Sequence, residues 1–304
     1  MAALAAGDAA PPGGRPPSGI EGRLFQFYAK PRFLSAHMSL PESVKAGGVP
    51  KAYVVVIGGL TSTPPVQAWV GDLCTALAPL DASVVQPYLT SCGNGFGQSS
   101  LEQDCKEIDQ SIGKLKPVNT PIVLIGHSTG CQDIVAFLKE GRHKARIKAV
   151  VLAAPVSDRD VLPPGAAFHV KYAKEQTGNP KFKMMPTKIW ECAFTQYRVL
   201  SLWSEGGDED LFSTEFDESW MEEVVGHCAG TPCLAMWGSK EPNIPPGIDL
   251  SEHAARLSNA LGGADRTCKF QILEGAGHDF GGVYKDQFIT AVIEFLGANS
   301  ILTP

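Results

Sequence analysis

The chain has 304 residues, 44% of them hydrophobic and 19% charged, with a formal net charge of −6. That is enough apolar material for a large core in one or two domains. The acidic balance speaks against a general nucleic-acid binder or a protein held to an anionic membrane surface, and no apolar run approaches the roughly 18 residues that span a bilayer.

Residues 1–22, MAALAAGDAAPPGGRPPSGIEG, are rich in Ala, Gly and Pro and offer almost nothing to bury. They are expected to form a disordered tail ahead of one domain over 23–304. A secretory signal would need a basic start and an apolar centre, and neither is present. A cytoplasmic location is therefore expected. Organellar targeting by the tail is the minor alternative, because a transit peptide would carry more Arg and Ser.

From there, short apolar runs alternate with helical patterns. RLFQFYA and LSAHMSL have the look of extra strands at a sheet edge. AYVVVIGG (52–59), ASVVQPYL (82–89), PIVLIGH (121–127), AVVLAAP (149–155), PCLAMWG (232–238) and KFQILEGAGH (269–278) are apolar on both faces, as strands covered from both sides must be. Between them, Leu101, Cys105, Ile108, Ile112 and Leu115 form one helical stripe, with Ser100 and Gln103 spaced as a capping box. A last helix near 284–297 repeats the stripe with Phe288, Val292 and Phe295. This alternation predicts an α/β fold with a mostly parallel sheet and right-handed crossovers.

Residues 156–230 break the rhythm. They contain no convincing strand and are rich in aromatics and Met, so they are expected to be an inserted helical lid over the carboxyl edge of the sheet, where such sheets bind ligands. The eight cysteines include no C-x-x-C pair, which speaks against zinc and redox motifs and favours free thiols used as small apolar fillers.

The chemistry is expected in GHSTG, at the end of the 121–127 strand and before a helical pattern. A serine between two glycines at a strand-to-helix turn is the pattern of a nucleophile elbow. It lifts the Ser128 hydroxyl clear of the sheet, and the backbone N–H of Thr129 can donate to an oxyanion. A serine hydroxyl needs a base. His278, after the last core strand in ILEGAGHDF, is the candidate; His127 beside the nucleophile is assigned to packing or pocket wall. The order Ser…acid…His points to the loop after PCLAMWG, which carries Glu241. Asp158, or less favourably Asp160, in AAPVSDRD is the competing acid. The second oxyanion donor is expected to be the N–H of Leu60, in the turn GGL after the 52–59 strand. CGNGFG (92–97) mimics a dinucleotide loop, but Gln98 stands where the third glycine would be. It is expected to be a flexible loop beside the pocket.

Together, GHSTGCQD, GNGFGQSSLEQD and LAAPVSDRD resemble a group of α/β-hydrolase-fold proteins, known mainly from fungi and also found in plants and algae. The group was long catalogued as of unknown function, and it includes siderophore esterases that hydrolyse fusarinine-type ester bonds. The resemblance covers roughly residues 22–298. It implies Ser128 as nucleophile and His278 as base. The acid loop of that group usually reads Asp-Glu, whereas this chain has Lys240-Glu241. The expectation is thus a serine hydrolase that cleaves small-molecule carboxylic esters through an acyl-enzyme, with no metal or organic cofactor. Thioester or amide hydrolysis, acyl transfer, and a binding protein that has lost turnover stay open as alternatives.

Overall fold

The computed structural model describes residues 19–29 and 32–303. The expected tail lies outside the described residues up to position 18, and Gly22 already opens the first strand. The strands are β1 (Gly22–Gln26), β2 (Ser35–Ser39), β3 (Ala52–Ile57), β4 (Ala82–Pro87), β5 (Ile122–His127), β6 (Ile147–Ala153), β7 (Cys233–Gly238) and β8 (Cys268–Leu273). They form one eight-stranded sheet in the order β1-β2-β4-β3-β5-β6-β7-β8. β1 and β2 are antiparallel additions at one edge, and β4 through β8 run parallel with β3.

The helices are α1 (Glu42–Lys45), α2 (Val70–Leu77), α3 (Leu101–Lys114), α4 (Gly130–Glu140), α5 (Ala166–Glu175), α6 (Gln196–Trp203), α7 (Glu218–Val225), α8 (Leu250–Gly262) and α9 (Lys285–Ala298). The side-chain alternation of each central strand sorts the core into two layers. Val54, Val56, Val84, Val123, Ile125 and Val151 face Leu73 and Leu77 of α2 and Phe288 and Val292 of α9. Tyr53, Val55, Ile57, Val85 and Leu124 face α3, α4, α7 and α8 through Ile108, Ile112, Ile134, Phe137, Met221 and Leu257. Two-sided cover explains why β3 to β5 are buried at every position.

β8 departs from the expected two-sided burial. It is the outer strand of the sheet, and Lys269, Phe270 and Gln271 are exposed there. The capping box at α3 is half made: the Ser100 hydroxyl accepts the Gln103 N–H at 3.1 Å, but the Gln103 amide donates to Glu107 at 2.7 Å instead of returning to Ser100. Glu107 also accepts the Thr90 N–H and an Arg32 N–H, and that network competes for the glutamine. All eight cysteines are free thiols, six of them buried.

Residues 156–230 hold no strand and divide by packing. The first part, through α6, builds its own small core from Ala166, Met185, Ile189, Phe194, Leu202 and Trp203, joined by Phe96. From Phe212 onward the chain rejoins the main core through Phe216, Met221, Val225 and Cys228. CGNGFG is not a loose loop: residues 93–97 form a tight 3-10 turn whose Phe96 is buried against Phe194, rings 5.2 Å apart, and Gly97 accepts the Thr195 N–H at 2.9 Å. Burying Phe96 holds this turn in place. Among the described residues, no helix is long and apolar enough to cross a membrane.

Candidate active site

Ser128 sits between the end of β5 and the start of α4 with φ of 55°, a left-handed conformation that costs a non-glycine residue about 1–3 kcal/mol. Backbone bonds on both sides hold it there: its N–H donates to Ala153 and its carbonyl accepts from Cys131, at 2.9 and 2.8 Å. The flanking glycines are required by contact. A Cβ on Gly126 would lie 2.4 Å from the Gly130 carbonyl oxygen, and one on Gly130 would lie 2.5 Å from the Ile57 oxygen. Thr129 caps α4, so its N–H belongs to the unpaired first turn of that helix, where the dipole favours negative charge.

β3 is the neighbour of β5, which brings the turn after β3 beside the serine. A Cβ on Gly59 would come within 2.7 Å of the Ser128 Cβ. Leu60 follows directly; its side chain leans on the small core of the segment between β6 and β7, so this turn joins the serine to that segment.

The imidazole has farther to travel. β8 lies three strands from β5 in the sheet, about 14 Å at ordinary strand spacing. The loops after β7 and β8 close this gap together. The Lys240 N–H donates to Ala276 at 2.9 Å and the Gly275 N–H to the Ser239 hydroxyl at 2.8 Å, so the two loops form one unit. Glu241 and His278 meet on it: the His278 Nδ1 lies 2.9 and 2.8 Å from the two carboxylate oxygens. The carboxylate is fully buried and the imidazole 20% exposed. Asn243 steadies the Glu241 carboxylate by donating its N–H and its side-chain amide to Oε1, at 3.1 and 2.8 Å.

Burial alone would raise the Glu241 carboxyl, but the His278 hydrogen bond and charge and the Asn243 donors outweigh it and hold the group below its usual range. Burial likewise resists a charged His278, and Glu241, with smaller help from Asp279 and Asp158, outweighs it and lifts the imidazole above 6.5. The Nδ1–H therefore donates to Glu241, which leaves a lone pair on Nε2. Among the described residues, the hydrogen bonds of His278 run from Nδ1 to Glu241 and from His127 to its carbonyl, and none reaches the Ser128 hydroxyl; the Asn243 amide nitrogen, 3.2 Å from Nδ1, is a donor facing a donor and serves the carboxylate instead. Contacts of that kind are often long without substrate and tighten when it binds.

His127 is not a passive wall. It is 2% exposed, its ring lies 4.8 Å from that of His278, and its Nε2 is 3.0 Å from the His278 carbonyl oxygen. The Gln67 amide meets its Nδ1 at 2.9 Å. Gln67 and Asn243 are polar residues here that the sequence does not single out, and His127, expected as packing or pocket wall, makes a hydrogen bond as well. A histidine inside the elbow motif was the one available signal.

The two competing carboxylates have other surroundings. Asp160 accepts the Thr214 N–H at 2.8 Å and so fastens the inserted segment. Asp158 has a buried oxygen without a hydrogen-bond partner, and burial pushes its carboxyl up to about 7. As to a metal, His127, His278 and Asp279 bring one ligand atom each within 4.8 Å of one another. The His127 Nε2 is already engaged by a carbonyl and the His278 Nδ1 by Glu241, so this donor set fits hydrogen bonding better than a cation.

Comparison with known proteins agrees with this architecture. A family model described as "Protein of unknown function (DUF1749)" matches residues 31–297. The chain is 24% identical over 264 residues to esterase AN6793 of Emericella nidulans, covering 64% of this chain and 70% of that protein. It is 28% identical over 134 residues to fusarinine C esterase sidJ of Aspergillus fumigatus, covering 36% and 38% of the two chains. Among solved structures, siderophore hydrolase EstB from Aspergillus fumigatus aligns with a TM-score of 0.76 at 21% identity, over 94% of this chain and all of that one. A soluble variant of monoglyceride lipase from Saccharomyces cerevisiae aligns at 0.66 and 13% identity, over 96% and 100% of the two chains. The fold is that of the α/β hydrolases, as the resemblance implied.

Proposed function

We propose that this chain, which belongs to the DUF1749 family, is a serine esterase that cleaves small-molecule carboxylic esters through an acyl-enzyme. The observation that carries the proposal is the buried Glu241 carboxylate bonded to the half-buried His278, delivered across the sheet to the strand end that bears Ser128. A buried carboxylate on Nδ1 fixes the tautomer that a general base needs and stabilises the imidazolium that forms.

In the first half of the reaction, His278 Nε2 takes the hydroxyl proton as Ser128 Oγ bonds to the ester carbonyl carbon. The oxyanion is met by the N–H groups of Leu60 and Thr129. The carbon–oxygen bond to the alcohol then breaks, and the alcohol leaves with the proton from His278. In the second half, His278 takes a proton from water, the hydroxide adds to the acyl carbon, and Ser128 recovers its proton as the acid departs. The names of the esterase relatives support ester bonds as the substrate class. The aromatic lid core of Phe96, Trp190, Phe194 and Trp203, against which Leu60 leans, supports a bulky or apolar group on the ester.

The test is Ser128→Ala on a panel of p-nitrophenyl esters of varied acyl length, with fluorophosphonate labelling in parallel. Turnover should fall by about 10⁴-fold or more, and labelling should vanish while the melting temperature holds. Turnover retained in the folded variant would refute the assignment.

A further inference from the structure

The buried contact between His127 and the loop that carries His278 has a direction that chemistry fixes. The His278 carbonyl can only accept, so His127 Nε2, 3.0 Å away, carries the proton. Its Nδ1 is then a lone pair, and the Gln67 amide, 2.9 Å away, donates to it. The ring is neutral with one defined tautomer, and neither nitrogen is left unsatisfied in a site with almost no solvent. The charged groups that face it are His278, Asp279 and Glu241; burial and the positive charge of His278 push its own ionisation down to about 4.

His127 and Ser128 are consecutive residues, and His127 ends a strand that is buried throughout. A bond from this side chain to the His278 backbone therefore ties the base to the strand of the nucleophile without passing through the acid. Glu241 sets the tilt and tautomer of the imidazole from Nδ1; the carbonyl bond sets its height above the serine. We propose that His127, oriented by Gln67, is a positioning residue that fixes the distance between the base and the nucleophile in this site. This rests on the assignment of Ser128 and His278 as catalytic.

The experiment compares His127→Leu, which keeps bulk but has no donor, with His127→Gln, whose terminal amide can reach the same carbonyl, and with Gln67→Leu, each in the full chain. His127→Leu should lower kcat by up to about 10²-fold, the scale for a base displaced by about 1 Å, with KM nearly unchanged. His127→Gln should restore most of the loss, and Gln67→Leu should fall between them. Nitrogen-15 spectra of the wild-type ring should show Nε2 protonated and Nδ1 bare, without titration between pH 5.5 and 8. Equal kcat in His127→Leu and wild type, a failed rescue by a folded His127→Gln, or a ring protonated on Nδ1 would each overturn the proposal. Ser128→Ala and His278→Ala run alongside separate the two readings. If these remain active the triad is wrong; if they are dead while His127→Leu is fully active, only the positioning role is wrong.

Discussion

Replacing Glu241 with glutamine removes one charge and leaves the shape. In the wild type the carboxylate lies 2.8 Å from the His278 Nδ1 and is fully buried. During the reaction the imidazole becomes a cation, and the carboxylate then faces it at about 4 Å between charge centres. At an effective dielectric constant of about 20 that attraction is worth about 4 kcal/mol. By transition-state arithmetic, 4 kcal/mol is about 10³-fold in rate. The neutral amide adds a second defect. Oε1 now accepts from Asn243 twice, and a glutamine that keeps its oxygen there turns its NH₂ toward the Nδ1–H of His278, donor against donor. A fall in kcat of about 10³–10⁴-fold is therefore expected, at nearly constant KM. The assay is steady-state hydrolysis with the concentration of competent sites titrated by fluorophosphonate. The pH profile carries a second reading. Glu241 holds the His278 pKa above 6.5, so the acid limb of kcat/KM should lie above that value in the wild type and move to lower pH in Glu241→Gln. A loss below about ten-fold, or an acid limb that stays put, would mean that this carboxylate does not support the base.

Asp158→Asn makes the opposite case. The native carboxyl is raised from 3.8 to about 7, so the folded protein keeps a proton that the unfolded chain releases. Its contribution to stability is whole below 3.8 and is lost as pH rises through about 7. Asparagine removes that loss, so the melting temperature of the variant relative to wild type should be higher at pH 8.5 than at pH 4, as read by calorimetry. Its kcat should stay within about three-fold of wild type, and a loss rivalling that of Glu241→Gln would transfer the acid's role to Asp158. Gly59→Ala should crowd the Ser128 side chain and displace the Leu60 N–H, with a fall in kcat of about 10²–10³-fold, the usual cost of one oxyanion donor. Unchanged turnover in a folded Gly59→Ala would remove Leu60 from the reaction.

Sequence and structure agree best where a local pattern carries the physics. Uninterrupted Val and Ile runs need cover on both faces, and β3, β4 and β5 receive it. β8 has a similar look at its apolar end, yet a run of letters does not say which strand will be outermost, and Phe270 is exposed for that reason. The same limit explains the insertion. Its aromatics announce a packed unit, but only the fold assigns Phe194 and Trp203 to a small separate core and Phe212 and Phe216 to the main one. CGNGFG looks loose because glycine dominates it, and it is held by what lies across from it, chiefly the burial of Phe96.

The site divides along the same line. Ser128 stands in a pentapeptide whose glycines answer contacts a few residues away, so its setting is written locally. The choice between Glu241 and Asp158 is not local, since both follow core strands and both are carboxylates. What separates them is how the chain ends near β7 and β8 are stitched. Lys240 and Ser239 bond the loop of Ala276 and Gly275, which brings Glu241 under His278, while one buried oxygen of Asp158 stays without a partner. His127 follows from the same geometry. Once the base must cross about 14 Å of sheet to reach the serine, its loop arrives as a long overhang, and an overhang needs a fastening at its far end. The side chain before the serine meets that end, and a neutral histidine with one donor facing a backbone carbonyl supplies the fastening without adding a charge beside the base. The packing role expected of His127 and the bond it makes are therefore two aspects of one requirement, and only the second depends on residues 151 positions apart in the chain.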